Sequence, residues 1–201
     1  MSIKIAVRWV LGTAAALVVP AAAFAHTGMG ASSGLAHGFA HPFSGIDHIL
    51  TMVAVGVFAA NIGGRALWAV PLTFMALMAV GGGLGLAGVG LPHVEAVIAL
   101  SVLVLGLAVA GPRQWPVVAA IFLVGVFAVF HGHAHGTEMA QTVSAAEYGF
   151  GFVLATGLLH LTGIGMGIGA ARLGVTRAQW ITQTGGVAIA AAGVGLLATM
   201  S

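Results

Sequence analysis

The sequence predicts an all-α, polytopic membrane protein with a cleavable signal peptide followed by a six-helix transmembrane bundle. Of its 201 residues, 60% are hydrophobic and only 5% are charged, which is too little charge to cover a water-facing surface. Apolar runs of about twenty residues recur, and an α-helix needs about this length to cross a hydrocarbon core of roughly 30 Å. Glycine, proline and small polar residues separate the runs and are typical of turns.

The first 25 residues are typical of a secretory signal peptide. Lys4 and Arg8 precede an apolar run over 10–19, and Ala23 and Ala25 supply the small residues expected before a cleavage point. An uncleaved first transmembrane helix is the alternative. Cleavage after Ala25 makes His26 the new N-terminus, where its imidazole and α-amine can share a metal ion. We therefore expect a signal peptide over 1–25 and one membrane domain over 26–201.

Six transmembrane helices are predicted near 43–62, 66–88, 93–111, 115–135, 146–171 and 179–200. Two glycine-rich runs, 81–85 and 163–169, lie inside these helices. They indicate either close helix packing through small residues or a weakened helix that lines a path. We favour packing. The pattern Ser144-Ala145-Ala146-Glu147 is typical of a capping box and predicts the start of the fifth helix.

The distribution of charge predicts the orientation. Arginines concentrate in cytoplasmic loops of membrane proteins. The loops after the first, third and fifth predicted helices contain all the arginines that follow the signal peptide: Arg65, Arg113, Arg172 and Arg177. Most histidines and all carboxylates fall at or near the opposite helix ends. We expect a bacterial inner-membrane protein whose mature N-terminus and histidine-rich ends face the periplasm.

Composition excludes several classes of protein. Cysteine is absent, so disulfides, cysteine zinc sites and thiolate copper sites are excluded. Lys4 is the only lysine, so the chain has no Walker A lysine and is not a P-loop ATPase. The net charge is only +2, and we expect the partners to be a lipid bilayer and a metal ion rather than nucleic acid.

The first polar motif spans residues 41–48. His41 and His48 are seven residues apart, so a continuous helix would place both on one face, with Asp47 beside His48. Asp47 either binds a metal directly or orients a ligating imidazole. Pro42 suits the first turn of a helix.

The second polar motif spans residues 131–138. His131 and His135 are separated by four residues, a spacing that lets two imidazoles on one helix face bind one ion. Glu138 joins them if the helix continues through Gly136. Either motif alone is also explained as a polar helix cap. Both at the same membrane face predict a metal site with six ligand candidates: His41, Asp47, His48, His131, His135 and Glu138.

The candidate donors are nitrogen and oxygen only, which suits Ni²⁺, Co²⁺ or Zn²⁺ and disfavours Cu(I). Spacing does not separate these three ions. A second set of residues is assigned to the metal or its path with less support: His26, His37, His93, Glu95, His133 and His160. Among these, His93 and Glu95 would form an entry funnel. His160 lies deep in a helix and is either a hydrogen-bonded packing residue or a relay for the ion.

The two motifs resemble those of the HupE/UreJ family of nickel permeases, whose patterns are H-P-x-x-G-x-D-H and F-H-G-x-A-H-G-x-E. The matching positions are His41, Pro42, Gly45, Asp47 and His48, then Phe130, His131, Gly132, Ala134, His135, Gly136 and Glu138. The resemblance covers the whole chain. His133 falls at a variable position of the second pattern.

The resemblance implies secondary uptake of Ni²⁺ across a bacterial inner membrane, with nickel-enzyme maturation proteins as downstream partners. The ion is cargo, and no resident cofactor is expected. One alternative is an intramembrane metal-dependent hydrolase that uses Asp47 or Glu138 as general base. Another is a metal sensor or chaperone without flux, although the predicted loops are too short to form a partner surface. The sequence does not indicate the oligomeric state or the coupling ion.

Overall fold

The computed structural model describes residues 34–111, 114–139 and 144–200, and this part of the chain is helical throughout, without strands. The expectations for the signal peptide, for His26 and for Arg113 lie outside these residues. A short helix comes first and is followed by one 3₁₀ turn, His41–Phe43. The helices are α1 (Gly34–Ala40), α2 (Ile46–Ile62), α3 (Ala66–Leu86), α4 (Val94–Ala110), α5 (Val117–Glu138), α6 (Ala145–Ala171) and α7 (Val175–Ala198).

The helix lengths agree with a multi-pass membrane protein. Four helices, α3, α5, α6 and α7, are long and apolar enough to cross a membrane. The segment Gly34–Phe43 and α2 reach the required length together and would provide a fifth span, bent by 81°. Helix α4 is apolar but has only 17 residues. The all-α class is therefore confirmed, whereas a count of six membrane crossings remains a prediction.

The prediction for the first helix was wrong at its start. Helix α2 begins at Ile46 rather than near residue 43, because Gly45 adopts an extended conformation (φ −108°, ψ 127°). Before it, the Ser44 hydroxyl donates to the His41 carbonyl at 2.6 Å and closes the 3₁₀ turn. His41 and His48 therefore do not lie on one face of a continuous helix.

Other helix ends differ from the prediction by a few residues. Helix α5 continues past residue 135 to Glu138, so Thr137 and Glu138 are helical rather than part of the following loop. Helix α7 begins at Val175 instead of residue 179, because Gly174 (φ 95°) reverses the chain directly after α6. Arg177 consequently lies in the first turn of α7, not in a loop. The predicted cap of α6 is present, since the Ser144 hydroxyl accepts from the Glu147 N–H at 3.4 Å.

Close packing of helix pairs explains much of the glycine content. A β-carbon at Gly132 of α5 would lie 1.9 Å from the carbonyl oxygen of Met78 in α3, so the two backbones touch. Gly81 faces α5 in the same way, and Gly163 in α6 faces α2. In contrast, Gly165 has no described atom of another helix within 4 Å of its β-position. Packing therefore accounts for part of each glycine run.

Helix direction separates the arginines from the histidines. Ala60 near the end of α2 packs against Gly167 near the end of α6, so these two helices run in the same direction. Arg65 and Arg172 directly follow them and lie at that end of the bundle. His48 lies at the opposite end, in the first turn of α2. The predicted separation thus holds for Arg65 and Arg172 against His48, whereas the side of the membrane remains a prediction.

Gly163→Ala and Gly165→Ala form a matched pair that tests this packing. A β-carbon at position 163 would lie 2.2 Å from the carbonyl oxygen of Val53, so α2 and α6 must separate. We expect Gly163→Ala to lower the Tm of the purified protein in detergent. Gly165→Ala should leave the Tm unchanged or raise it, because alanine is favoured over glycine in helices by about 1 kcal/mol. Equal Tm values for the two variants would contradict the packing account.

Candidate metal centre

Three buried imidazoles meet where the start of α2 approaches the end of α5. His48 lies in the first turn of α2, and His131 and His135 lie on successive turns of α5. Their side chains are buried, with exposed fractions of 5%, 0% and 6%. The two helices are not among the closely packed pairs, so these long side chains span the space between them. The predicted spacing of His131 and His135 on one helix face is therefore confirmed.

The ring nitrogens of these histidines converge on one point. His131 Nδ1 lies 3.1 Å from His48 Nε2, and His135 Nε2 contacts the same His48 nitrogen. A ring nitrogen carries either one proton or one lone pair, so His48 Nε2 cannot form both contacts as ordinary hydrogen bonds to two similar partners. Nitrogens that share a metal ion at about 2.0–2.1 Å lie roughly 3 Å apart. The spacing of His48 and His131 suits two ligands of one ion.

A second group of donors lies directly outside these imidazoles. His41 Nε2 is 3.5 Å from Glu138 Oε2, and the same oxygen is 3.7 Å from His135 Nδ1. One donor atom from each of these three residues lies within 4.8 Å of the others, an arrangement that can hold a metal ion. His135 belongs to both groups, because its Nε2 faces His48 and its Nδ1 faces Glu138. The two sequence motifs therefore form one continuous cluster.

Packing of α1 explains how His41 reaches this cluster despite the bend before α2. Gly38 in α1 lies against the backbone of Tyr148 in the first turn of α6. The following 3₁₀ turn then places the His41 ring 4.7 Å from the His135 ring, edge to face. The conclusion that both histidines of the first motif approach one site is supported, although the helix geometry that predicted it was wrong.

Asp47 is placed to orient His48. Its Oδ1 lies 3.5 Å from His48 Nδ1, on the opposite side of the ring from the nitrogen that faces His131. A carboxylate in this position favours the tautomer with a proton on Nδ1 and a lone pair on Nε2. Of the two roles left open for Asp47, the geometry favours orientation. The side chain also reaches a polar cavity of about 210 Å³, which is lined by residues including His41, Asp47, His48, Glu95, His135 and Glu138.

Four of the residues assigned with less support differ in where they lie. One lines the polar cavity, two are exposed, and one points away from the cluster. Glu95 lines the polar cavity, whereas His93 is the exposed N-cap of α4 and is not among the lining residues. His37 is exposed on α1. His133 points away from the cluster, since its Nε2 lies 2.6 Å from the carbonyl oxygen of Val89 and ties α5 to the loop after α3. Of these four, only Glu95 is brought to the site.

His160 is separated from the cluster by one aromatic ring. The fully buried Phe74 ring lies 5.8 Å from the His131 ring and 5.3 Å from the His160 ring. Neither ring nitrogen of His160 has a hydrogen-bond partner among the described residues. A histidine that serves only packing would be expected to have such a partner. The choice between the packing role and the relay role of His160 stays a prediction.

Sequence reasoning missed two features of the cluster. Ser101 of α4 is buried, and its hydroxyl lies 2.9 Å from His131 Nε2. It is the only hydroxyl side chain within the apolar helix α4, and that isolation was an available signal. Phe152 of α6 covers the cluster, with its ring 4.3 Å from the His135 ring. No sequence pattern distinguishes this phenylalanine from the other apolar residues of its helix.

Comparisons with known proteins show the family of the chain. The family described as HupE / UreJ protein matches residues 14–196. Protein HupE of Rhizobium leguminosarum bv. viciae is 48% identical over 185 residues, which cover 92% of this chain and 95% of that protein. No solved structure matches the chain. The chain therefore belongs to the HupE/UreJ family, which is a family of metal transporters rather than of enzymes.

Proposed function

We propose that the protein imports a divalent transition-metal ion, Ni²⁺ in the first place, across the bacterial inner membrane. The ion is captured on the periplasmic side between α2 and α5. The contact of His48 with both His131 and His135 carries this proposal, because it joins the two motifs. Co²⁺ and Zn²⁺ suit the same donors. The proposed ligands are His41, His48, His131, His135 and Glu138. Asp47 completes the proposed site as the residue that orients His48.

Capture begins at the exposed edge of the cluster. Glu138 is about half exposed, at 53%, and can attract a hydrated cation into the polar cavity. His41 and His135 then replace water ligands, and the buried imidazoles of His48 and His131 complete the transfer. Only neutral imidazoles bind metals, so protons compete with the ion. Transport should therefore weaken as the periplasmic side is acidified.

Passage inward requires a change at Phe74. This fully buried ring lies between the cluster and His160, 5.8 Å from the ring of His131 and 5.3 Å from the ring of His160. We infer that the ion reaches His160 only when Phe74 moves aside. The site is then closed on its inner side while it loads from outside, as expected for a transporter.

The alternative functions lack comparable support. A metal-dependent hydrolase would use the same carboxylates, but the chain belongs to a transporter family. A sensor or chaperone needs a surface for a partner protein, and the described connections between helices are short. Nickel-enzyme maturation proteins remain the proposed destination of the ion.

Single cysteines at Thr137 and Arg172 test the proposed orientation. Both side chains are exposed, and the chain contains no cysteine of its own. They lie at opposite ends of the bundle, so a membrane-impermeant thiol reagent added to whole spheroplasts should label the cysteine at 137 and not the one at 172. The reverse pattern, or equal labelling of both, would contradict a periplasmic site.

Asp47→Asn tests the proposed capture mechanism. The change keeps the size of the side chain but removes the charge that holds His48 with its Nε2 lone pair toward the site. We expect uptake of radioactive nickel into proteoliposomes to fall by at least about tenfold at limiting nickel. Wild-type protein should exceed protein-free vesicles in the same assay.

Glu147→Gln is the matched control for that experiment. It also neutralises one carboxylate, but Glu147 lies at the start of α6, where its Oε2 accepts from the Gly34 N–H at 3.2 Å. An amide oxygen can accept the same bond, so this variant should transport like the wild type. Normal uptake by Asp47→Asn, or an equal loss in both variants, would refute the assigned role of Asp47.

A further inference from the structure

The hydroxyl of Ser101 is the centre of a buried hydrogen-bonded chain behind the metal site. Ser101 Oγ lies 2.6 Å from the carbonyl oxygen of Ile98, one turn earlier in α4. The same oxygen lies 3.2 Å from Thr51 Oγ1 of α2 and 2.9 Å from His131 Nε2 of α5. Ser101, Thr51 and His131 are all fully buried. The chain thus connects three helices on the side of His131 that faces away from His48.

The proton of the Ser101 hydroxyl can be located from these distances. A carbonyl oxygen only accepts hydrogen bonds. Two oxygens at 2.6 Å without a proton between them would repel each other, so the Ser101 proton lies on the bond to Ile98. A serine hydroxyl has only one proton. Ser101 must then accept from His131, and His131 Nε2 must carry a proton.

A proton on Nε2 leaves the lone pair of a neutral imidazole on Nδ1. That nitrogen is the one that lies 3.1 Å from His48 Nε2. We propose that Ser101 is a positioning residue for the metal site, which holds His131 as the Nε2–H tautomer with its Nδ1 lone pair directed at the ion. The metal-binding part of this inference rests on the proposed function, whereas the tautomer does not.

Ser101 and Asp47 then have the same role for two different histidines. Ser101 fixes the tautomer of His131, and Asp47 fixes the tautomer of His48. Asp47 Oδ1 lies 3.5 Å from His48 Nδ1 and favours a lone pair on His48 Nε2. Ser101 leaves a lone pair on His131 Nδ1. The two lone pairs face each other and repel in the absence of a cation, and a divalent ion between them relieves that repulsion. Ser101 and Asp47 therefore preorganise the site before the metal ion binds.

Nitrogen NMR of metal-free protein labelled with ¹⁵N-histidine tests the tautomer directly. Two-bond proton–nitrogen correlations distinguish a protonated ring nitrogen from one with a lone pair, and His131→Asn assigns the signals of His131 by their loss. We expect the Nε2–H tautomer in the wild type. Ser101→Ala removes the acceptor and should shift His131 toward the Nδ1–H form, whereas Ser101→Thr retains a hydroxyl and should keep the wild-type form.

Nickel titration of the same purified proteins tests the consequence. We expect Ser101→Ala to weaken Ni²⁺ binding by about 10- to 100-fold, the range typical of a lost outer partner of a metal ligand. Ser101→Thr should restore most of the affinity. Thr156→Val is the control, because it removes another fully buried hydroxyl, one that donates to the sulfur of Met78 at 3.9 Å rather than to a histidine. This variant should keep both the tautomer and the affinity of the wild type.

Two results would overturn the inference. One is a wild-type His131 with its proton on Nδ1, which decides the matter even if Ser101→Ala does not fold. The other is a folded Ser101→Ala protein with an unchanged tautomer or unchanged nickel affinity. A wild-type protein that shows the expected tautomer but binds no nickel would instead refute the proposed function and leave the assignment of the proton intact.

Discussion

The contact between His48 and the two imidazoles of α5 is the constraint on which the rest of the site depends. Three imidazoles are buried together at the end of an apolar bundle, and one ring nitrogen of each lies at their common contact. The second ring nitrogen of each faces another residue, Asp47, Ser101 or Glu138. Buried polar groups are normally paired. Here a shared cation is the partner that would satisfy all three. The roles proposed for His41, Glu138, the polar cavity and the hydrogen-bonded chain through Ser101 all depend on this contact.

The glycine-mediated packing makes this arrangement attainable. Helix α3 lies directly on α5, and α2 lies directly on α6, with backbones in contact at positions such as Gly132 and Gly163. Helices α2 and α5 are not themselves a closely packed pair, and their histidine side chains bridge the space between them. The ring of Phe74 lies beside His131, and the ring of Phe152 lies beside His135.

Much of the fold, and of the set of side chains that meet in the histidine cluster, could be predicted from the sequence, for physical reasons. Hydrophobic length predicts helices, and the separation of His131 and His135 by four residues predicts a common helix face, because helical periodicity is local. The break before α2 could not be predicted, since a single extended residue, Gly45, decides it. The result was a wrong account of how His41 and His48 meet.

The positions of Ser101, Phe152 and His133 could not be predicted, because they depend on contacts between segments that are distant in the sequence. Ser101 and His131 are thirty residues apart, and only the packing of α4 beside α2 and α5 brings the hydroxyl to the imidazole. Phe152 is an ordinary apolar residue of α6 until the fold places it on His135. His133 belongs to the second motif but turns to the Val89 carbonyl, because neighbouring residues on a helix face different directions.

A double-mutant cycle tests most directly whether the two motifs form one metal site. The cycle compares His48→Ala, His135→Ala and the double variant by equilibrium nickel titration of purified protein, at a pH where histidines are mainly neutral. Residues that act as a unit are strongly non-additive. Each single change should therefore remove most of the affinity, and the double change should remove little more. Losses of binding free energy that simply add would show two separate stations and contradict a single site between α2 and α5.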